Sequence, residues 1–84
     1  MSITVAQVKQ AKPKAKSYKI TDGNGLYLLI HANGSKYWRM DYRFEGKRKT
    51  LALGVYPEIS LASARDFRDE ARLKLRSGID PSSE

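Results

Sequence analysis

The chain has 84 residues, enough for one small domain with a single modest core. A net charge of +7 and a pI of about 9.9 favour nucleic acid or another acidic surface as the partner. The absence of cysteine excludes disulfides and thiolate metal sites. No apolar run approaches the roughly 18 residues of a membrane span, and no apolar signal-peptide core follows the first residues, so we expect an intracellular, cytoplasmic protein.

The positive charge is concentrated in the first half of the chain. Residues 9–49 hold 11 Lys and Arg against 3 Asp and Glu, whereas residues 50–84 hold 5 against 6. Residues 9–16 (KQAKPKAK) contain a helix-stopping Pro13 and read as an extended basic arm that could lie along phosphates. A solvated linker is the alternative interpretation of this segment.

A short helix is predicted over residues 4–10. Thr4 can cap it, and Gln7 three positions later completes a capping-box pattern. Val5 and Val8 form a small apolar stripe that could dock on the domain.

Residues 18–20 could form a short first strand before a turn over residues 21–25. Gly23 and Gly25 could supply positive φ in that turn. The glycines are followed by neither a GK[ST] motif nor a helix, so we interpret them as turn residues rather than as a phosphate loop. Residues 26–31 (LYLLIH) form the next predicted strand.

The loop after this strand decides which face each residue takes, because a slip of one residue reverses every side chain. A two-residue loop at 33–34 would pair Leu29 with Trp38. A three-residue loop at 32–34, with Gly34 in a left-handed bulge, would instead pair Leu28 with Trp38. We favour the second loop because it buries Leu28 and Ile30 together.

Residues 36–53 (KYWRMDYRFEGKRKTLAL) read as a β-hairpin with the two-residue loop 45–46. This loop places Trp38 opposite Leu53. Alternation puts one set of side chains on an apolar face: Trp38, Met40, Tyr42 and Phe44. It puts a second set on the other face: Tyr37, Arg39, Asp41 and Arg43.

The second face sets Arg43 directly opposite Arg48. Directly opposed like charges are unfavourable without an anionic partner, which suggests a platform for a polyanion. A solvated face that carries Lys and Arg for solubility is the alternative on the hairpin alone. Asp41 is expected to orient Arg39 or Arg43.

Residues 54–58 are predicted to break the sheet and to lead into a helix over residues 61–76. Ser60 is the expected N-cap and Gly78 the expected C′ stop. Arg68 lies within the apolar arc, so its stem should pack while its head reaches water. Because the remaining face is acidic, we expect the helix to pack on the side of the sheet opposite the ligand. The arc contains Leu61, Ala64, Phe67, Arg68, Ala71 and Leu75.

These elements predict an α+β fold: a small three-stranded antiparallel sheet, with a short extra strand possible, packed on one C-terminal helix and preceded by a short N-terminal helix. Signatures of catalysis are sparse. His31 is the single histidine, and no serine has a base near it in sequence. We therefore predict no catalytic residues, no metal site and no cofactor.

Several separated motifs resemble one family. The run GLYLLIHANGSKYWRMDYRFEGKRKTLALGVYPEISLASAR, the later RSGIDP and the entry pattern AKPK…YKITDGNGLYL are similar to the amino-terminal arm-type DNA-binding domain of phage P4-like integrases. These integrases are tyrosine recombinases of prophages and genomic islands. The similarity covers nearly the whole chain.

The resemblance implies that the exposed sheet face enters the major groove at arm-type sites beside the attachment core. It divides the chain into a helix and basic arm over residues 1–17, an arm-type DNA-binding domain over residues 18–78 and the start of a linker over residues 79–84. Core-binding and catalytic domains would follow, so the Arg/His/Tyr active site would lie outside this chain. In the full protein, neighbouring integrase protomers and DNA-bending or directionality factors are candidate partners.

Strand parity gives the predicted outer-face residues of the DNA-binding set, and the lysines of the hairpin and the arm are added to it as phosphate contacts. The arginines are expected at guanine edges, the lysines at phosphates, and Tyr37 and Thr50 at thymine methyls or phosphates. The predicted set is Tyr27, Lys36, Tyr37, Arg39, Arg43, Lys47, Arg48, Lys49 and Thr50, with Lys14 and Lys16 on the arm.

Two other functions fit the same residues. A single-stranded RNA- or DNA-binding module could stack bases on Tyr27 and Tyr37. A protein-interaction domain could use the patch of Tyr27, Leu29 and Tyr37, with the basic charge serving solubility alone.

Overall fold

The computed structural model describes residues 3–82 and has an α+β fold. Four antiparallel strands form one sheet in the order β1-β2-β3-β4. The possible extra strand of the prediction, at residues 18–20, is a full member of that sheet. Residues 1–2 and 83–84, the ends of the predicted first and last segments, lie outside the described residues. The elements are α1 (Val5–Gln10), β1 (Tyr18–Gly23), β2 (Leu26–Ile30), β3 (Lys36–Phe44), β4 (Lys47–Tyr56) and α2 (Leu61–Arg76).

The predicted capping box at the start of α1 is confirmed. The Gln7 backbone N–H donates to Thr4 Oγ1 at 3.1 Å, and the Thr4 N–H donates to Gln7 Oε1 at 2.8 Å. The predicted apolar stripe is half wrong, because Val8 is buried but Val5 is 64% exposed. Ile3, just before the cap, is buried in the same cluster as Val8 in its place. This spacing is that of a hydrophobic staple, which fixes the direction in which the chain enters the helix.

β1 runs further than the sequence indicated. The predicted turn over residues 21–25 shrinks to Asn24 and Gly25, because Thr21 and Gly23 still pair with β2. Positive φ at Gly23 (133°) and Gly25 (89°) is confirmed. Asp22 lies at the register shift between Thr21 and Gly23, where a bulge frees its side chain from the strand alternation.

The three-residue loop between β2 and β3 is confirmed. Leu28 lies opposite Trp38, and the His31 N–H donates to the Ser35 carbonyl at 2.8 Å across the loop. Gly34 has φ 95°, which a residue with a side chain adopts at a steric cost. This register buries the alternate residues of β2 beneath the sheet.

The hairpin of β3 and β4 has the predicted tip. Residues 45–46 have φ values of 52° and 77°, as a tight hairpin turn with two left-handed residues requires. Pairing follows the predicted register from Phe44 opposite Lys47 to Met40 opposite Leu51.

Beyond that point the prediction fails in two ways. Trp38 lies opposite Gly54 rather than Leu53, because Leu53 is an extra residue in a bulge of β4. The sheet does not break at Gly54, since β4 continues to Tyr56. Gly54 has φ 142°, and a Cβ on it would collide with the side chain of Ile59. The bulge and the glycine let the strand pass this side chain and remain paired.

Both ends of α2 were predicted correctly. Ser60 Oγ accepts from the Ser63 N–H at 3.1 Å as the N-cap. Gly78 has φ 79°, and its N–H donates to the Leu75 carbonyl at 3.1 Å, as in a glycine-terminated helix.

The core lies between the sheet and the two helices, centred on Trp38. This side chain is fully buried, and its Nε1–H donates to the Ile59 carbonyl at 2.7 Å. Phe67 departs from the predicted apolar arc of α2, since it is 38% exposed. The larger cluster of buried residues comprises Ile3, Val8, Leu26, Leu28, Ile30, Trp38, Leu61 and Ala64.

A buried carboxylate ties the N-terminal segment to the sheet and to α2. Asp22 accepts hydrogen bonds from the Ile3 N–H at 2.8 Å, from Arg65 Nη2 at 2.9 Å and from Arg68 Nη1 at 2.9 Å. The head of Arg68 therefore contacts Asp22, and the prediction that it reaches water was wrong. A buried carboxylate needs paired cations, and α2 supplies two of them. The hydrogen bond from Arg65 is the main cause that lowers the pKa of Asp22.

A second carboxylate fastens residues 79–82 to the hairpin. Asp80 is buried, accepts from Tyr42 Oη at 2.6 Å and from the Ser82 N–H at 3.0 Å, and forms an ion pair with Lys49. These bonds lower its pKa, with the contact to Lys49 as the largest cause. The division of the chain into a helix and basic arm (1–17), a DNA-binding domain (18–78) and the start of a linker (79–84) stays a prediction.

Candidate nucleic-acid interface

The side of the sheet turned away from α2 is called the outer face below. Its members follow from strand alternation and from the observed pairing. They are Lys19 and Thr21 on β1, Tyr27 and Leu29 on β2, Tyr37, Arg39, Asp41 and Arg43 on β3, and Arg48, Thr50, Ala52 and Val55 on β4.

Three arginines give the outer face its charge. Arg43 lies directly opposite Arg48, and both are exposed. Arg39 lies four residues before Arg43 on β3, with Asp41 between them on the same face. None of the three has an ion pair or a side-chain hydrogen bond within residues 3–82. The Arg39 guanidinium lies 5.8 Å from the centre of the Tyr37 ring. Directly opposed like charges are unfavourable in a sheet, so an external anion would relieve the repulsion between Arg43 and Arg48.

Asp41 does not orient the arginines, and that prediction was wrong. Its Oδ1 accepts from Thr50 Oγ1 at 2.8 Å and from Tyr27 Oη at 3.3 Å. Because β3 pairs with both β2 and β4, the hydroxyls of Tyr27 and Thr50 lie closer to the carboxylate than the guanidinium groups of Arg39 and Arg43 do.

Tyr27 lies on the outer face as predicted, but it is only 8% exposed. The Nζ of Lys19 lies 4.9 Å from the centre of its ring and helps to cover it. Burial raises the pKa of Tyr27, and the neighbouring Asp41 raises it further. The hydroxyl therefore stays protonated and can donate to Asp41.

Lys19 is a cation of this face that the sequence reasoning missed. It lies opposite Leu29 and is exposed. The alternation of Tyr18, Lys19 and Ile20 carried the signal, because two apolar residues flank a lysine. Tyr37 also has a neighbour that was missed: the ring of His31 meets it edge-on with centres 6.3 Å apart.

The hairpin lysines do not share the outer face with the arginines. Lys36 Nζ donates to the Val8 carbonyl at 2.9 Å on the side facing the helices. Lys49 pairs with Asp80, and that hydrogen bond raises the pKa of its ammonium group. Lys47 is exposed beside the hairpin tip. The structure thus brings together the predicted arginines, Tyr37 and Thr50, but turns Lys36 and Lys49 toward partners within the chain.

The basic arm was predicted over residues 9–16, but its first two residues belong to α1. Residues 11–17 connect α1 to β1 without regular secondary structure. Lys14 and Lys16 are exposed there, and Lys14 Nζ lies 4.7 Å from the centre of the Tyr18 ring. The Tyr18 hydroxyl donates to the Lys12 carbonyl at 2.6 Å. These contacts hold the arm close to the edge strand β1.

Within residues 3–82, neither helix is long and apolar enough to cross a membrane. The same residues contain no group of three or more His, Cys, Asp or Glu side chains that could hold a metal ion.

The fold and the outer face define a small α+β domain with one cationic sheet surface. Residues 3–84 match the model of the Arm DNA-binding domain, and the chain belongs to this family. This match confirms the resemblance inferred from the sequence, and it identifies the chain as a DNA-binding domain rather than a catalytic one.

The chain is also similar to curated integrases. It is 54% identical over 83 residues to an integrase of Enterobacteria phage P4, a match that covers 96% of this chain and 19% of that protein. It is 47% identical over 79 residues both to an integrase of Shigella phage Sf6 and to the prophage integrase IntS of Escherichia coli (strain K12). Each of these matches covers 94% of this chain and 20% of the relative. The chain thus spans about a fifth of the length of these relatives, and family membership supports DNA binding in integration.

Proposed function

We propose that the chain binds duplex DNA with a sequence preference at arm-type attachment sites, with its outer face in the major groove. It does so as the N-terminal domain of a tyrosine recombinase that inserts and excises a prophage or genomic island in the bacterial cytoplasm. Neighbouring integrase protomers and directionality factors would be partners of the complete protein. The observation that carries the proposal is the set of arginines on the outer face without an anionic partner among residues 3–82.

The hairpin of β3 and β4 suits the shape of the major groove. This groove is about 12 Å wide and admits a two-stranded β-ribbon. Arg39, Arg43 and Arg48 project from the two strands of such a ribbon, on the side away from α2. Guanidinium groups can pair with guanine O6 and N7, which gives roughly 1–3 kcal/mol of discrimination for each good pair.

Phosphate contacts would come from the border of this surface. Lys47 at the hairpin tip and Lys14 and Lys16 on the arm are exposed, and Lys19 adds an exposed cation on β1. Such contacts position the domain on the duplex and make binding sensitive to salt. Lys36 and Lys49 would have to give up their intramolecular contacts to take part.

The test compares Arg43→Ala with Arg76→Ala, since Arg76 is an exposed arginine in the last turn of α2. Binding is measured by fluorescence anisotropy with a duplex that the wild-type chain enriches from a randomised pool. Arg43→Ala should weaken binding by about 1–3 kcal/mol, whereas Arg76→Ala should bind like the wild type. The free energy of unfolding should not fall for Arg43→Ala, because the repulsion between Arg43 and Arg48 is removed.

The proposal fails if Arg39→Ala and Arg43→Ala both bind the duplex like the wild type. Equal or tighter binding to the corresponding single strand would favour a single-stranded nucleic-acid module instead. Binding that is insensitive to salt would contradict an electrostatic interface with phosphates.

A further inference from the structure

Asp41 is the acid of the outer face, and its contacts differ from those expected of an acid among cations. It lies on β3 two residues from Arg39 and two from Arg43, so the three side chains project from the same side. The ion pairs of residues 3–82 nevertheless join Asp41 to neither arginine. The carboxylate accepts from two neutral hydroxyls, those of Thr50 and Tyr27.

These two hydrogen bonds fix the carboxylate without neutralising it. Both end on Oδ1, at 2.8 Å from Thr50 Oγ1 and 3.3 Å from Tyr27 Oη. Within the described chain, Oδ2 accepts no hydrogen bond and keeps its full acceptor capacity. Asp41 is only half-buried, so this oxygen is within reach of a ligand on the outer face.

A fixed negative charge on a surface that meets DNA weakens its attraction to phosphates. The charge contributes favourably only where a donor on the DNA reaches it. In the major groove those donors are the amino groups of cytosine (N4) and adenine (N6), and carboxylates pair with cytosine N4. An acceptor held between two guanine-directed arginines would therefore read a neighbouring base pair of the same site.

We propose that Asp41 is a specificity-determining residue that accepts a hydrogen bond from the N4 amino group of a cytosine in the major groove. Thr50 and Tyr27 hold the carboxylate in position for this contact. The inference rests on the proposed function, since it requires the outer face to lie in the groove. It adds a contact to cytosine beside the proposed contacts of the arginines to guanine. A base that presents an acceptor at this position would be rejected.

The test uses Asp41→Asn, which preserves the shape of the side chain and an oxygen that can accept from Thr50 and Tyr27. It removes the charge and, because its oxygen stays with Thr50 and Tyr27, presents an N–H donor to the groove in place of the Oδ2 acceptor. The control is Asp66→Asn, because Asp66 is an exposed acid on α2 and the change in net charge is identical. Asp41→Ser is a second variant, which removes the carboxylate without supplying an amide, and thermal melting checks that each variant folds.

Each protein enriches duplexes from a randomised pool, and affinities are then measured at one salt concentration for the wild-type duplex and its single-base variants. The wild type and Asp66→Asn should require cytosine at one position, where another base lowers affinity about fivefold or more. Asp41→Asn should reject cytosine and favour a base that presents an acceptor, at that position alone, and Asp41→Ser should accept every base there. Both Asp41 variants should bind unrelated duplex more tightly than Asp66→Asn does.

Identical base preferences for the wild type, Asp41→Asn and Asp41→Ser would overturn the role of Asp41. An adenine requirement in the wild type at the position that Asp41→Asn alters would overturn the choice of cytosine. If the wild type enriches a motif that depends on Arg43 but not on Asp41, the proposed function stands and this inference fails. If Arg39→Ala and Arg43→Ala also enrich the wild-type motif with unchanged affinity, both fail.

Discussion

The two faces of the sheet treat their charged residues in opposite ways. On the face toward the helices, Lys36 donates to a backbone carbonyl, and Lys49 pairs with Asp80. On the outer face, Arg43 and Arg48 lie opposite each other with no ion pair among residues 3–82. The same hairpin carries both sets, so strand alternation separates the two lysines that have partners within the fold from the two opposed arginines.

Under the proposed function, the face toward the helices supplies stability and the outer face supplies binding. The face toward the helices contains the fully buried Trp38 and the polar contacts that close the domain. On the outer face, the repulsion between Arg43 and Arg48 lowers the stability of the fold. Substitutions on the two faces should therefore affect different measurements.

The largest effect is expected at Trp38. Trp38→Ala should lower the free energy of unfolding by about 3–5 kcal/mol, because it removes a fully buried indole and leaves a cavity. The control is Tyr37→Ala, one residue earlier on the outer face, where the side chain is half-buried. Urea denaturation should show a smaller loss for Tyr37→Ala, and equal losses would contradict the division of the two faces.

The second-largest loss in the free energy of unfolding is expected at Asp22. Asp22→Asn removes the charge that faces Arg65 and Arg68, and it should cost about 3 kcal/mol because two cations are left beside a buried neutral group. Asp69→Asn is the control: Asp69 also pairs with Arg68, but its side chain is 61% exposed, and the loss should be under about 1 kcal/mol. Similar losses for the two variants would show that the Asp22 cluster does not fasten the N-terminal segment.

The effect of Asp22 should also depend on pH. Its pKa is lower in the folded chain than in the unfolded chain, so the ionised form stabilises the fold. This contribution is fully present above the unfolded pKa of about 3.9 and is lost as the pH falls through the folded pKa. The difference in unfolding free energy between wild type and Asp22→Asn should stay constant from about pH 5 to 8 and shrink below about pH 4.

Local chemistry made much of the fold predictable. Thr4 with Gln7, Ser60 and Gly78 mark helix ends by short-range hydrogen bonds, and the structure has each of them in its predicted role. The loop at residues 32–34 was decided by which strand register buries the most apolar surface. The outer face followed from alternation, although only the structure shows how deeply Tyr27 is buried.

Long-range contacts explain what the sequence did not reveal. The bulge at Leu53 lets β4 pass Ile59, which approaches Gly54 from outside the hairpin. Asp22 meets arginines that lie 43 and 46 residues later. Lys49 was expected at phosphates, but its partner Asp80 lies 31 residues away and could not be inferred from the hairpin.

The most direct test of the outer face as the DNA-binding surface is amide chemical-shift mapping during titration with duplex DNA. The duplex is one enriched by the wild-type chain, and a scrambled duplex is the control. The account predicts the largest shifts on the outer face of β3 and β4, around Arg39, Arg43 and Arg48, with a stronger response to the enriched duplex. Shifts confined to α2, or spread over residues 11–17 and equal for both duplexes, would contradict it.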